Sequence, residues 1–215
     1  MSLISLCAES KPCLVSCSVL KEELEKLVRQ GDLDADLVFV SKYFHVDYEV
    51  LERNLRKVVE KTLSRAPGKV IIVYGDLCLG PNDEMRKLTE EYGVLKVDAL
   101  NCVDCLLGGK GKVLEADPTH DLLFLYPGMT GFFSYFKEKA QQEGIDEEVF
   151  NKFFSGLRGI ARLDTLGDPE KDKAEIEKLN TGLEVVETKT VGVNKLKELL
   201  LEVIEQNRQK ACCKK

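Results

Sequence analysis

The chain has 215 residues, with 31 Lys and Arg against 37 Asp and Glu, a formal net charge of −6. Apolar residues make up 44% and charged residues 32%, the balance of a globular chain long enough to bury a core without disulfide or metal staples. The acidic sum and the absence of Trp argue against a basic nucleic-acid-binding domain or a base-stacking platform.

The opening residues, MSLISLCAESKPC, lack the basic and apolar regions of a secretion signal, and no apolar run is long enough for a membrane helix. The expectation is a cytoplasmic protein that contacts neither membrane nor nucleic acid. At about 150 residues per domain, the length fits a single α/β domain over residues 1–208, with 209–215 as a flexible tail. Eight cysteines, at 7, 13, 17, 78, 102, 105, 212 and 213, point in a reducing compartment to metal binding, thiol chemistry or plain burial.

In chain order, apolar β-rich runs alternate with helical periods. The runs are Cys13–Val19, Leu37–Val40, Lys69–Tyr74, Val94–Val97, Asp121–Tyr126, Arg158–Asp164 and Leu183–Thr188. Their continuous apolar character, without polar alternation, suits strands buried on both faces. Between them, Leu20–Arg29, Tyr48–Ser64, Asp83–Tyr92, Phe132–Gln142, Pro169–Asn180 and Lys195–Arg208 carry apolar residues at helical spacing. Such alternation predicts a three-layer, Rossmann-like α/β fold: a mainly parallel sheet of six to seven strands with helices on both faces.

Open α/β sheets bind ligands at the carboxyl ends of their strands, so residues just past each strand are the candidates. Cys17 closes strand one, His45 lies in SKYFHVD after strand two, and Cys78 lies in YGDLCLGPN after strand three. Cys102 and Cys105 lie in NCVDC after strand four, with Asn101 as a helix N-cap. A single cysteine is commonly a small buried hydrophobe, and a single loop histidine commonly a surface residue. What lifts these above that reading is that four Cys and one of only two His fall on one edge. A helix N-terminus would draw the Cys102 and Cys105 thiols, and by the same argument Cys78, toward thiolate.

In the second half, Gly128, Met129 and Thr130 follow strand five, and Asp164 and Thr165 follow strand six. Glycines there would let the backbone approach a small anionic ligand, with the next helix pointing its N–H groups at it. The plainer reading is a tight turn. GDLCLG matches neither phosphate-loop pattern. GGKGK follows a helix, so it reads as a C-cap and turn.

At this point the residues resemble the bacterial and archaeal domain-of-unknown-function 1638 family over about residues 13–204. The matching pieces are SCSVLKEELEKL, FHVDYEVLERNL, VIIVYGDLCLG, VDCLLGG, Pro127-Gly128 and LDTLGDPEKDKAEIEKLN, in that order. The family's recurrent polar positions are implied to fall on Cys17, His45, Cys78 and Asp104-Cys105. The chain departs from the family's HDC triplet by carrying Val103 where the family has His, a role that is lost here or taken by Cys102. The resemblance implies an association with corrinoid-dependent methyltransferase systems by analogy, and no established reaction.

Cys17, His45, Cys78 and Cys105 form a Cys₃His set, a common composition for tetrahedral zinc, with Cys102 as a neighbour able to replace a ligand. The same donors suit iron or an iron–sulfur cluster. Three readings stay open. One is a metal-binding α/β protein, catalytic or accessory to methyl-group and corrinoid metabolism, partnered by a corrinoid protein or methyltransferase. Another is metal-free thiol chemistry at Cys78 or Cys105. The third is an adaptor that binds a small anion or a corrinoid protein.

Overall fold

The computed structural model describes residues 11–213, without the side chains of 169–172 and 211–213. Cys7 and the side chains of Cys212 and Cys213, expected to lie far from the candidate site, fall outside what is described. Every apolar run becomes a strand: β1 (Cys13–Cys17), β2 (Asp36–Val40), β3 (Val70–Val73), β4 (Leu95–Lys96), β5 (Leu122–Leu125), β6 (Gly159–Asp164) and β7 (Val185–Thr190). All their pairings are parallel. They form two sheets flanked by helices, a four-stranded one in the order β2-β1-β3-β4 and a three-stranded one in the order β5-β6-β7. The single sheet of the sequence reading is thus divided. The division falls after β4, which has only two residues and so offers little ladder for a further strand.

Burial follows position in the sheet. β1 and β3, each with a strand on both sides, are buried along their whole length. Of the outer strands, β2 is mostly half-buried and β7 is largely open to solvent, so the expectation of burial on both faces fails there.

The helices are α1 (Lys21–Arg29), α2 (Tyr48–Arg65), α3 (Glu84–Tyr92), α4 (Cys102–Leu107), α5 (Lys112–Ala116), α6 (Pro127–Gln142), α7 (Glu147–Lys152), α8 (Pro169–Leu179) and α9 (Asn194–Cys213). Local chemistry sets several of their ends. Asp47 caps α2 by accepting from the Glu49 and Val50 N–H groups at 2.8 and 3.1 Å. Leu51, Leu55 and Val59 then face the core at helical spacing. The Asn101 carboxamide caps α4, and Gly108 ends it with φ 105°, as GGKGK predicts. α9 runs on to Cys213, past the expected end at Arg208. Its Leu196, Leu200 and Val203 stay against the core. Among the described residues, no helix is long and apolar enough to cross a membrane.

One apolar core draws on both sheets, with Leu14, Val15, Ile71 and Ile72 from β1 and β3 and Leu122, Phe124 and Leu163 from β5 and β6. The carboxyl ends are tied together as well. α6 starts at Pro127, earlier than its apolar period implies, because proline with its fixed φ suits the first helical position. Gly128 then presses on the turn after β1, where an added Cβ would stand 1.7 Å from the Val19 carbonyl oxygen. Lys42, after β2, donates from Nζ to the Gly128 carbonyl at 2.7 Å. Lys26 of α1 donates to the Leu166 carbonyl, after β6, at 3.0 Å.

Gly128→Ala therefore cannot be accommodated without moving α6 off β1. It should destabilise the protein by about 3 kcal/mol or more in urea unfolding. Gly156→Ala, where a Cβ would meet nothing within 4 Å, should change stability little. Equal effects of the two would contradict the packing described.

Candidate functional site

The carboxyl edge of the first sheet collects the thiols. Cys17 is the last residue of β1, and its Sγ accepts from the Val19 N–H at 3.5 Å. The next strand brings His45 in a 3₁₀ turn over Lys42–Val46, which Ser41 caps. Ser18 ties this turn to β1 by accepting from the Lys42 N–H at 2.8 Å. His45 turns inward, with Nδ1 3.8 Å from the Cys17 Sγ. Its ring stacks on Tyr74 at 6.0 Å between centroids and meets Phe132 edge-on at 6.4 Å.

Cys78 and Cys102 are positioned by the backbone. Asp76 and Leu77 donate their N–H groups to the Ala99 and Leu100 carbonyls at 2.8 and 3.0 Å. Gly75 makes this approach possible, since a Cβ there would lie 2.3 Å from the Leu100 and Asn101 backbone. The turn carrying Cys78 is thereby fastened to the segment that leads into Cys102. Asp104, fully buried, holds the rest of that segment. Its carboxylate accepts from the N–H groups of Leu100 (2.9 Å), Gly111 (3.0 Å) and Val113 (2.8 Å). Asp104 thus serves the backbone.

A cavity of about 60 Å³ is lined by Cys17, Val19, Lys42, His45, Cys102, Met129 and Phe132. That is room for about two water molecules, or for one ion with a small ligand. Cys78 adjoins Cys17 and Cys102 electrostatically, and Cys105 lies behind them with no exposed surface. Among the described residues, no three His, Cys, Asp or Glu side chains already stand as a ligand set for a metal ion. The rank of the two CxxC cysteines is reversed relative to the sequence reading: Cys102 faces the cavity and Cys105 the core. A larger hollow of about 570 Å³ lies beside β4 and α3. Most of its charged lining is paired, Asp76 with Lys96 and Lys110, and Arg86 with Asp83 and Glu90. The chemistry lies at the thiols.

Burial dominates the electrostatics there. It pushes Cys17 up, against the Val19 N–H, with neighbouring Cys102 and Cys78 adding to the rise. Cys78 is pushed up to about 12, by burial first and by Cys102 second. Cys105 is raised well above its ordinary value for the same two reasons, and Cys102 is raised by burial. The expectation that a helix N-terminus would draw these thiols toward thiolate is overturned. The neighbouring Tyr126 hydroxyl, and after it the backbone N–H groups at the start of α4, favour the Cys102 thiolate, but loss of water outweighs them. Burial also lowers His45, against a hydrogen bond to the Lys42 backbone, which favours its neutral imidazole.

In the second half of the chain, Gly128 serves helix packing, and Met129 lines the cavity. Thr130 is buried, and its hydroxyl donates to the Pro127 carbonyl at 2.8 Å. Asp164 accepts from the Gly167 N–H at 2.7 Å, and Thr165 donates to the buried Glu23 at 2.7 Å. These two polar groups bond to their own chain. The sequence reading missed Lys42, Phe132, Glu23, Tyr74 and Tyr126. Lys42 sits three residues before His45, and each tyrosine directly follows a strand, the same positional signal that singled out the cysteines.

The fold and edge site define an α/β protein with a cluster of buried and half-buried thiols at the carboxyl ends of a parallel sheet. Residues 39–207 match the family model described as protein of unknown function (DUF1638), and the chain belongs to that family. No curated protein and no solved structure matches it.

The raised thiols fix a pH dependence. Below about pH 8.5 both folded and unfolded chains keep their thiol protons and stability is full. Above that pH the unfolded chain ionises first, and stability falls as pH climbs toward the Cys78 value of about 12. The slope should approach about 1.4 kcal/mol per pH unit for each such thiol. Urea unfolding of protein prepared without metal should show this fall between pH 8.5 and 10.5, and Cys78→Ser should reduce the slope. A flat profile would contradict the burial argument.

Proposed function

We propose that the protein binds a soft metal ion, zinc or iron, at the carboxyl edge. Cys17, His45 and Cys102 are its donors, with Cys78 as the fourth and Cys105 adjacent. The observation that carries this is the convergence of donors from separate strands: Cys17 Sγ lies 3.8 Å from His45 Nδ1, and Cys102 lines the same cavity. Thiolate with neutral imidazole is a donor set suited to zinc, and also to iron or an iron–sulfur cluster. The residues fit such a group by their donor chemistry, since two cysteines and a histidine line one cavity and a cation among them would favour the thiolates. Loading then includes an ordering step in which the donors close on the ion and release their protons.

When bound, such a metal supplies Lewis acidity at an open position, lowering the pKa of a substrate thiol or water. The protein's own residues shape that position. Val19, Met129 and Phe132 keep water out, and the Lys42 ammonium places a positive charge on the wall. This suits activation of a small thiol as a methyl acceptor. The family resemblance is what supports an association with methyl-group metabolism and a corrinoid protein or methyltransferase as partner. Lys42 also supports a second reading, an adaptor that holds a small anion without metal. Metal-free thiol catalysis has less support: the thiolate is the nucleophile, and Cys105 is fully buried while Cys78 is half-buried and raised.

Protein purified without added metal should carry near-stoichiometric zinc or iron by elemental analysis. Cys17→Ser and Cys102→Ser should lose it. Cys13→Ser, at the opposite end of β1, should retain it. Metal far below stoichiometric, which zinc or iron added during refolding does not raise, would overturn the proposal.

A further inference from the structure

Tyr74 and Tyr126 are 2% and 0% exposed, among the most deeply buried side chains described. Neither hydroxyl meets a partner at full hydrogen-bond geometry. Buried tyrosine hydroxyls ordinarily find one, and an unmet hydroxyl in an apolar setting destabilises the fold, so phenylalanine would be the better residue if packing were the only demand. The two rings reach the site from different sheets. Tyr74 follows β3 and stacks on His45, and Tyr126 follows β5 and is the N-cap residue of α6. The Tyr74 hydroxyl adjoins the Cys17 thiol and the Tyr126 hydroxyl adjoins the Cys102 thiol, without hydrogen bonds of good geometry.

We infer that Tyr74 and Tyr126 are positioning residues of the metal site, whose hydroxyls donate hydrogen bonds to the Cys17 and Cys102 sulfurs once these are ligated. This rests on the metal reading above. A neutral thiol is a weak acceptor, which accounts for two hydroxyls left unmet beside sulfur. A ligated thiolate carries charge and is a strong one. In the loading step each thiol proton leaves to solvent, the sulfur electron pair goes to the metal, and each tyrosine keeps its proton and shares it with sulfur. No electron changes hands. Through these bonds the tyrosines set the direction of the sulfurs and the charge they pass to the metal, as hydrogen bonds to metal ligands generally do.

The expected signature is a change of sign between the two states. In protein prepared without metal, Tyr74→Phe and Tyr126→Phe should leave the thermal midpoint unchanged or raise it, because an unmet buried hydroxyl is removed. In the loaded state each variant should bind zinc about ten-fold more weakly or worse, in competition with a chelator. With cobalt(II) as the probe, the thiolate-to-metal charge-transfer band should move to longer wavelength, a shift that a purely structural role would not produce. Lower stability of either variant before loading would overturn the inference, as would wild-type affinity with an unmoved cobalt band; both leave the metal reading standing. Failure of wild-type protein to bind zinc or cobalt would overturn both.

Discussion

The contact between Gly128 and the Val19 carbonyl is the constraint on which the rest depends. It seats the start of α6 directly on the chain leaving β1, at a distance where no Cβ fits. Because α6 continues from there, Met129 and Phe132 form one wall of the cavity whose floor is Cys17 and Cys102. Lys42 reinforces the seat through the Gly128 carbonyl, and its own turn carries His45. One backbone approach therefore joins the two sheets and encloses the thiols between them.

Enclosure sets the chemistry. Thiols at an open sheet edge would titrate near their ordinary value and react with electrophiles. Here they lose water and gain one another as neighbours, so the protonated form is favoured throughout. The same features that make them poor nucleophiles make them good ligands. A soft cation supplies the charge that water no longer provides, and a neutral His45 needs no deprotonation to join it. At Cys102 the backbone N–H groups that begin α4 oppose the rise without reversing it.

Much of the fold was legible because its determinants are local. Continuous apolar runs marked all seven strands, and their alternation with helical periods required parallel pairing. The division into two sheets was not legible, since it turns on how short β4 is when folded. Pro127 and Gly128 read as a loop because glycine signals a turn locally, whereas here it answers a long-range contact. The edge cysteines and His45 were legible from their positions just past the carboxyl ends of strands. The order of Cys102 and Cys105 could not be read from CxxC spacing, because it depends on which face of α4 meets the core. Tyr74, Tyr126 and Lys42 were missed for a related reason: their importance lies in burial and in partners far along the chain.

The central claim is that sulfur and imidazole from separate strands bind one metal ion. X-ray absorption at the zinc edge, on protein loaded with a single equivalent of zinc, measures that directly. The account predicts a first shell with at least two sulfurs at about 2.3 Å and an imidazole nitrogen at about 2.0–2.1 Å. A shell of oxygen and nitrogen alone, without sulfur, would contradict it.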